Sequence, residues 1–151
     1  MRIVVVRVAR GREPWADEGF EGYARRIRRW LPFEEVRVKP VPGDGAARAE
    51  EARAVLSLLK DGDRVVCLDE RGRSPDTSGF RDLVERAGVE GCRRLVFLLG
   101  GPFGHGPGVR ERADAVISLS ALVLNHEVAR VVLAEQVYRA LSLVHGEPYH
   151  H

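Results

Sequence analysis

Leu95-Val96-Phe97-Leu98-Leu99-Gly100-Gly101-Pro102-Phe103-Gly104-His105-Gly106, residues 95–106, sets an unbroken apolar run against a loop crowded with glycine. An apolar run with no polar interruption reads as a strand covered on both faces, the kind found in parallel sheets. Glycine then recurs at 100, 101, 104, 106 and 108, more often than one turn demands. Glycine permits positive φ and close backbone approach, and a loop beyond the carboxyl end of a strand is where open α/β sheets bind ligands. The stretch therefore predicts an architecture and a site together.

Working outward, Ile3 to Val8, Val65 to Leu68 and Ala115 to Leu119 repeat the nearly continuous apolar pattern. Phe33 to Val38 carries polar residues between its apolar ones and is expected nearer an edge. Helical spacing fills the gaps: Phe20, Tyr23, Ile27 and Trp30 fall three to four apart, as do Val55, Leu58 and Leu59 after an alanine-rich stretch. Pro40 to Gly45 and Arg71 to Gly79 separate strand from helix. The alternation predicts an α/β fold, a mostly parallel sheet with helices on both faces, in a single domain over residues 1–151.

The last helix is expected to open at Asn125, a candidate N-cap, with Glu127 in the first turn where the helix dipole favours negative charge. It should run to about Val144 and stop at Gly146 and Pro148. Its apolar residues, from Val128 to Val144, cover more than one stripe, so one face is expected on the sheet and another on a second subunit. Glu135 and Arg139, four apart, predict a solvated pair without functional meaning.

Composition narrows the function less than pattern does. Of 24 basic residues only Lys39 and Lys60 are lysine, so 22 are arginine. Arginine suits RNA, because its planar fork holds phosphates and stacks on rings. Genome composition or a warm habitat gives the same excess, and 22 acidic residues leave a net charge of only +2. Any basic surface must be local. Cys67 and Cys92 lack CxxC spacing and read as buried reduced thiols. No apolar run approaches a membrane span and no secretory leader is visible, which predicts a cytoplasmic protein that does not engage a membrane.

The common nucleotide fingerprints fail when tested letter by letter. There is no GxxxxGK[ST], and the glycines after Leu99 contain no G-x-G-x-x-G. Within the loop Phe103 and His105 could touch a substrate, although a lone histidine there is more often simply solvated. Ser118-Leu119-Ser120-Ala121-Leu122-Val123-Leu124-Asn125 leads from strand to helix and is apolar with two hydroxyls. It reads equally as a buried connection or as a greasy slot whose free N–H and C=O groups face the edge of a flat ring. The tail Glu147-Pro148-Tyr149-His150-His151 reads as a frayed terminus or as an arm over a site. One histidine pair without further spaced ligands is no metal motif, and no metal site is expected.

Taken in order, Leu68-Asp69-Glu70-Arg71-Gly72, Leu99-Gly100-Gly101-Pro102-Phe103-Gly104, Ser118 to Leu122 with Asn125-His126, Arg130, Glu135 to Ala140 and Pro148-Tyr149-His150 resemble the RlmH family. These are rRNA large-subunit pseudouridine N3-methyltransferases of the SPOUT class. The resemblance implies a C-terminal trefoil knot, a homodimer, S-adenosylmethionine as cofactor, and large-subunit rRNA within the assembled 70S ribosome as partner. Carried over by position, it implies a cofactor site of Leu68, Gly100, Gly101, Ser120, Ala121, Leu122, Val123, Leu124 and Asn125. It also implies that Tyr149 and His150 reach the reaction from the partner subunit, with neither assigned as the base. A non-catalytic ribosome-binding protein and a SPOUT methyltransferase of tRNA are the alternative readings. Two positions depart from the family pattern. Asn125 stands where many relatives have proline, and His151 stands where the tail commonly continues into arginine or lysine.

Overall fold

Five parallel strands make one sheet in the computed structural model, which describes residues 1–151. In chain order the elements are β1 (Arg2–Val8), α1 (Pro14–Ile27), β2 (Phe33–Val38), α2 (Gly45–Ser57), β3 (Arg64–Arg73), α3 (Thr77–Val89), β4 (Arg94–Leu99), α4 (Val109–Arg112), β5 (Ala115–Ile117) and α5 (His126–Val144). The strand order is β2-β1-β4-β3-β5, with every neighbouring pair parallel. β4 lies at the centre and β2 at one edge, as their apolar patterns predict.

Side-chain alternation divides the core in two. Ile3, Val5, Val66, Leu95, Phe97 and Leu99 point to the face covered by α1, α3 and α5. Val4, Val6, Val65, Cys67, Val96 and Leu98 point to the opposite face, packed with Ala52 and Val55 of α2 and Val109 of α4. Burial on both sides is why these strands read as continuous apolar runs. Burial, then the nearby Asp69 carboxylate, pushes the Cys67 thiol up to about 12, so it is unreactive at neutral pH. Cys92 is only half-buried, and its thiol donates to Arg94 O at 2.8 Å. No helix is long and apolar enough to cross a membrane.

Four element boundaries differ from those the sequence predicts. Trp30 and Leu59 fall beyond the ends of α1 and α2, although Trp30 still packs, stacking on Tyr138 and His145. β3 continues past Leu68 to Arg73, because its far end returns to the ladder: both Leu68 and Arg73 pair with Ile117 across a register shift. β5 stops at Ile117 rather than Leu119, since the Ser118 hydroxyl donates to Ser120 O at 2.7 Å and turns the chain out of the sheet. At this crossing only glycine fits position 72, where a Cβ would lie 2.8 Å from the Ile117 backbone.

A buried pair at the opposite end of the sheet ties the turn before β3 to β4. Arg94 donates to both oxygens of Asp63, at 2.9 and 2.7 Å, and to Leu58 O at 2.9 Å. Burial raises the Asp63 pKa, but the Arg94 hydrogen bond, the Lys60 N–H at 2.8 Å and the Arg94 charge together outweigh it and hold the carboxyl below 3.8. A depressed folded value means that this stability is present above the unfolded pKa and is lost as pH falls through the folded one. Asp63→Asn is expected to cost about 1.5–3 kcal/mol at pH 7, the scale of hydrogen bonds to charged groups. Urea unfolding should show that cost shrinking below about pH 3.8; a cost independent of pH would contradict the ion-pair account.

Candidate functional site

The carboxyl ends of β3, β4 and β5 open into a cavity of about 620 Å³, within the roughly 300–1,000 Å³ usual for small-molecule sites. Leu68, Gly100, Gly101, Ser120, Leu122, Val123, Leu124 and Asn125 all line it. Ala121, expected with them, does not: its side chain stands exposed off the wall. Phe103 and His105, named from sequence as possible substrate contacts, line the cavity too, and Asp69, Arg71 and His126 do so without having been expected there.

The first wall is the glycine loop. Gly104 N donates to Gly101 O at 3.0 Å, and Gly104 takes φ +80° to close this turn. The turn folds back so tightly that a Cβ on Gly100 would sit 2.8 Å from the Gly104 carbonyl carbon. Arg48 of α2 donates to Phe103 O at 2.9 Å and holds the loop from behind. His105 is not solvated as expected of a lone loop histidine. Its ring Nε2 lies 2.8 Å from Leu68 O, and burial lowers its pKa. The neutral ring donates Nε2–H to that carbonyl, fastening the loop to β3.

Asp69 belongs to the same wall. Arg71 grips its carboxylate through Nε and Nη2 at 3.1 and 3.2 Å, and the Arg71 amide adds a bond of 2.9 Å. The Arg71 side-chain hydrogen bond is the main reason the Asp69 pKa lies below 3.8. Asp69 is thus an ionised anchor for the loop after β3 and no proton donor at neutral pH.

The second wall is the segment from Ser118 to Asn125. Ser120 Oγ accepts from Leu122 N at 2.9 Å, and Asn125 Oδ1 accepts from Glu127 N at 2.8 Å, the expected N-cap of α5. The backbone N–H groups of Ala121, Val123 and Leu124 take no partner in the chain. Leu122 and Val123 are 76% and 79% exposed. Of the two readings open from sequence, the slot fits and the buried connection does not.

Beneath the start of α5 lies a charge network that the sequence did not disclose. Arg130 donates to both oxygens of Glu35, at 2.6 and 3.0 Å, and to Asp17 at 2.6 Å. Arg7 donates to Glu127 at 2.7 Å. Arg7 Nε lies 3.1 Å from Glu35 Oε2, but misaligned, so that N–H makes no hydrogen bond. Arg7, Glu127 and Arg130 are all buried, and the Arg130 guanidinium stacks 4.6 Å over the Phe20 ring. Burial raises the Asp17 pKa, yet Arg130 outweighs it and the carboxyl ends below 3.8. The signal available in sequence was Arg7 itself, a charge inside the apolar run of β1.

The tail is docked on its own helix. Tyr149 Oη donates to Glu135 Oε1 at 3.1 Å, and its ring meets Tyr138 edge-on at 4.6 Å. Arg139 stacks 4.8 Å over Tyr149, donates to Glu135 at 2.6 Å and lies 3.0 Å from His150 Nδ1. Glu135 and Arg139 are therefore no solvated surface pair but the seat of the tail. Glu135 lies nine residues along α5 from His126, about 14 Å of helix rise. Ala129, the last residue of α5 on the cavity wall, is six residues before Glu135, so the seat of Tyr149 and His150 lies about 9 Å of helix rise from the cavity of their own chain.

The family model described as "Predicted SPOUT methyltransferase" matches residues 1–150. Proteins named ribosomal RNA large subunit methyltransferase H are similar along the whole chain. The one from Geobacter sp. (strain M21) is 37% identical over 153 residues, covering 100% of this chain and 99% of that protein. The one from Solidesulfovibrio magneticus is 41% identical over 149 residues, with 97% of each covered. Among solved structures, a probable methyltransferase from Bordetella pertussis Tohama I gives a TM-score of 0.59 at 18% identity, over 93% of this chain and 96% of that one. That last likeness is one of fold.

Proposed function

Because the chain belongs to the SPOUT methyltransferase family and, within it, to the RlmH family, we propose that it methylates N3 of a pseudouridine in large-subunit rRNA. S-adenosylmethionine is the donor, the assembled ribosome the substrate, and a homodimer the working form. The single observation that carries this reading is the convergence of the glycine loop and the Ser118 to Asn125 segment on one cavity.

The residues present fit the cofactor. Leu122 and Leu124 offer apolar surface to an adenine ring, and the unpartnered N–H groups of Val123 and Leu124 suit its polar edge. Gly100 and Gly101 let the backbone approach without a side chain between. When bound, S-adenosylmethionine supplies a methyl group already activated on a sulfonium. The protein then has to hold the attacking nitrogen in line, which supplies much of the rate. It must also stabilise the charge that develops as N3 loses its proton.

Tyr149 and His150 of the partner subunit are the groups for that second task. Burial, then hydrogen bonding to Tyr23 and Glu135, raises the Tyr149 pKa well above the usual tyrosine value. Docked in this way it stays protonated and is not the base; its single O–H is held by Glu135, so donating to the developing anion requires that proton to turn from Glu135 to the substrate. Service in trans is supported by the roughly 9 Å of helix rise between Ala129 on the cavity wall and Glu135 under the tail, together with exposed Val128 and Val144 near the two ends of α5. The tight passage of Gly72 over Ile117, with Ser118 N bonded to Arg73 O at 2.9 Å, supports the trefoil knot.

Calorimetry with S-adenosylmethionine and S-adenosylhomocysteine, followed by incubation of ribosomes with labelled methyl donor, tests this directly. Binding and label at one pseudouridine of large-subunit rRNA are expected. A folded protein that binds neither compound sinks the proposal. Ribosome binding without label would make it a non-catalytic binder, and label confined to tRNA would reassign the substrate.

A further inference from the structure

The end of α1 and the turn that follows it gather the local basic surface that overall composition hides. Gly22, Arg25 and Arg26, at i, i+3 and i+4, share one helix face, and Arg29, in the turn after the helix, lines the same hollow. With Tyr138 of α5 they line a cavity of about 440 Å³, the absent side chain of Gly22 leaving the hollow. Basic residues at a helix C-terminus are ordinary complements of the helix dipole. These three do more than that, because they converge on one space with a single carboxylate, Glu147, among them. Arg28, on another face, donates to Glu21 at 2.6 Å and to Phe33 O at 2.9 Å. Arg25 and Arg26 make no ion pair, and Arg29 has only Glu147 at 3.5 Å.

The cations are also held in place. The Arg26 guanidinium lies 5.7 and 5.5 Å over the Tyr23 and Tyr138 rings, and that of Arg29 lies 5.1 Å over Trp30. Two ring-stacked guanidiniums, Arg26 and Arg29, with Arg25 beside them and Glu147 at 3.5 Å as the single carboxylate, suit a phosphate, which the planar fork binds through paired N–H groups. Tyr138, the aromatic wall of this cavity, is the same ring on which Tyr149 is seated. Wherever the tail is delivered, the arginine cavity is delivered beside it.

We propose that the Arg25–Arg26–Arg29 cavity holds a backbone phosphate of the RNA flanking the methylated nucleotide, so that the subunit lending its tail also grips the substrate. The proposal rests on the rRNA methyltransferase reading. Phosphate contacts fix register and orientation without reading sequence, which is what a target presented on a ribosome requires.

The test compares wild type, R25A/R29A and R25K/R29K with R28A, which removes an arginine outside the cavity. Ribosome KM, kcat and the dependence of ribosome binding on salt are measured, with cofactor affinity by calorimetry and mass by light scattering. R25A/R29A should raise KM about ten-fold and lower the log–log salt slope by about 0.7–0.9 for each phosphate no longer neutralised. Its kcat and cofactor affinity should match those of R28A, and R25K/R29K should recover the salt slope. A KM and slope equal to those of R28A overturn the proposal. So does a change in mass, which would make the cavity an interface between copies of the chain. Wild type that neither binds nor methylates ribosomes defeats the functional reading and this proposal with it. An active wild type with an unaffected R25A/R29A defeats the phosphate site alone.

Discussion

Truncation after Pro148, which removes Tyr149, His150 and His151, is expected to lower kcat for ribosome methylation by about 10²–10³-fold, the scale of losing positioned donors to a developing anion. Cofactor affinity and the dimer should stay within about two-fold, because none of the three residues lines the cavity. Some stability is lost as well. Tyr149 covers Tyr138 and bonds to Glu135, so Tyr149→Phe, which keeps the ring, separates packing from chemistry. Mixing supplies the sharper comparison. A truncated subunit with a sound cavity and a Gly100→Val subunit with a sound tail should each be inactive alone and active together. Gly100→Val is chosen because its Cβ would meet the Gly104 carbonyl at 2.8 Å and spoil the loop. A fully active truncated enzyme removes the tail from the mechanism. No recovery on mixing removes the partner from it.

The parts of the molecule legible in sequence are those with short-range causes. Continuous apolar runs marked buried strands because both faces of the sheet are covered, and Asn125 marked the start of α5 because a cap acts over two residues. Eight of the nine expected cavity residues meet because the two loops leave the carboxyl ends of β4 and β5 on either side of β3, which carries Leu68. What stayed hidden depends on long-range juxtaposition. His105 meets Leu68 across 37 positions, and Arg130 meets Asp17 and Glu35 across 113 and 95. Glu135 and Arg139 show only helical spacing in sequence, and their use as a seat appears when the chain returns with Tyr149. The arginines at the end of α1 were present as a spacing, but that Arg25 and Arg26 pair with no carboxylate and Arg29 only with Glu147 is a fact of packing alone.

Arg130→Ala is expected to cost about 3–5 kcal/mol, the scale for removing one member of a buried ion network and leaving its partners charged and unpaired. Glu35 loses a two-pronged clasp at 2.6 and 3.0 Å, and Asp17 loses its bond of 2.6 Å. For a domain of this size the cost corresponds to a drop in Tm on the order of 6–20 °C. Arg130→Lys should fall between wild type and alanine, since an ammonium keeps the charge but gives up both the fork and the stacking on Phe20. The loss should reach the cavity, because the network fixes Glu127 in the first turn of α5 and Asn125, on the cavity wall, caps that turn. Weaker cofactor binding than in wild type is therefore expected even where the variant is fully folded. The pH dependence follows from Asp17, whose carboxyl lies below 3.8 in the fold because of Arg130. Its contribution is present above that unfolded value and is lost as pH falls through the folded one. The gap between wild type and Arg130→Ala should narrow below about pH 3.8. A gap under about 1 kcal/mol at pH 7, of the size measured for exposed pairs, would show that the network is screened by water and does not fix the start of α5.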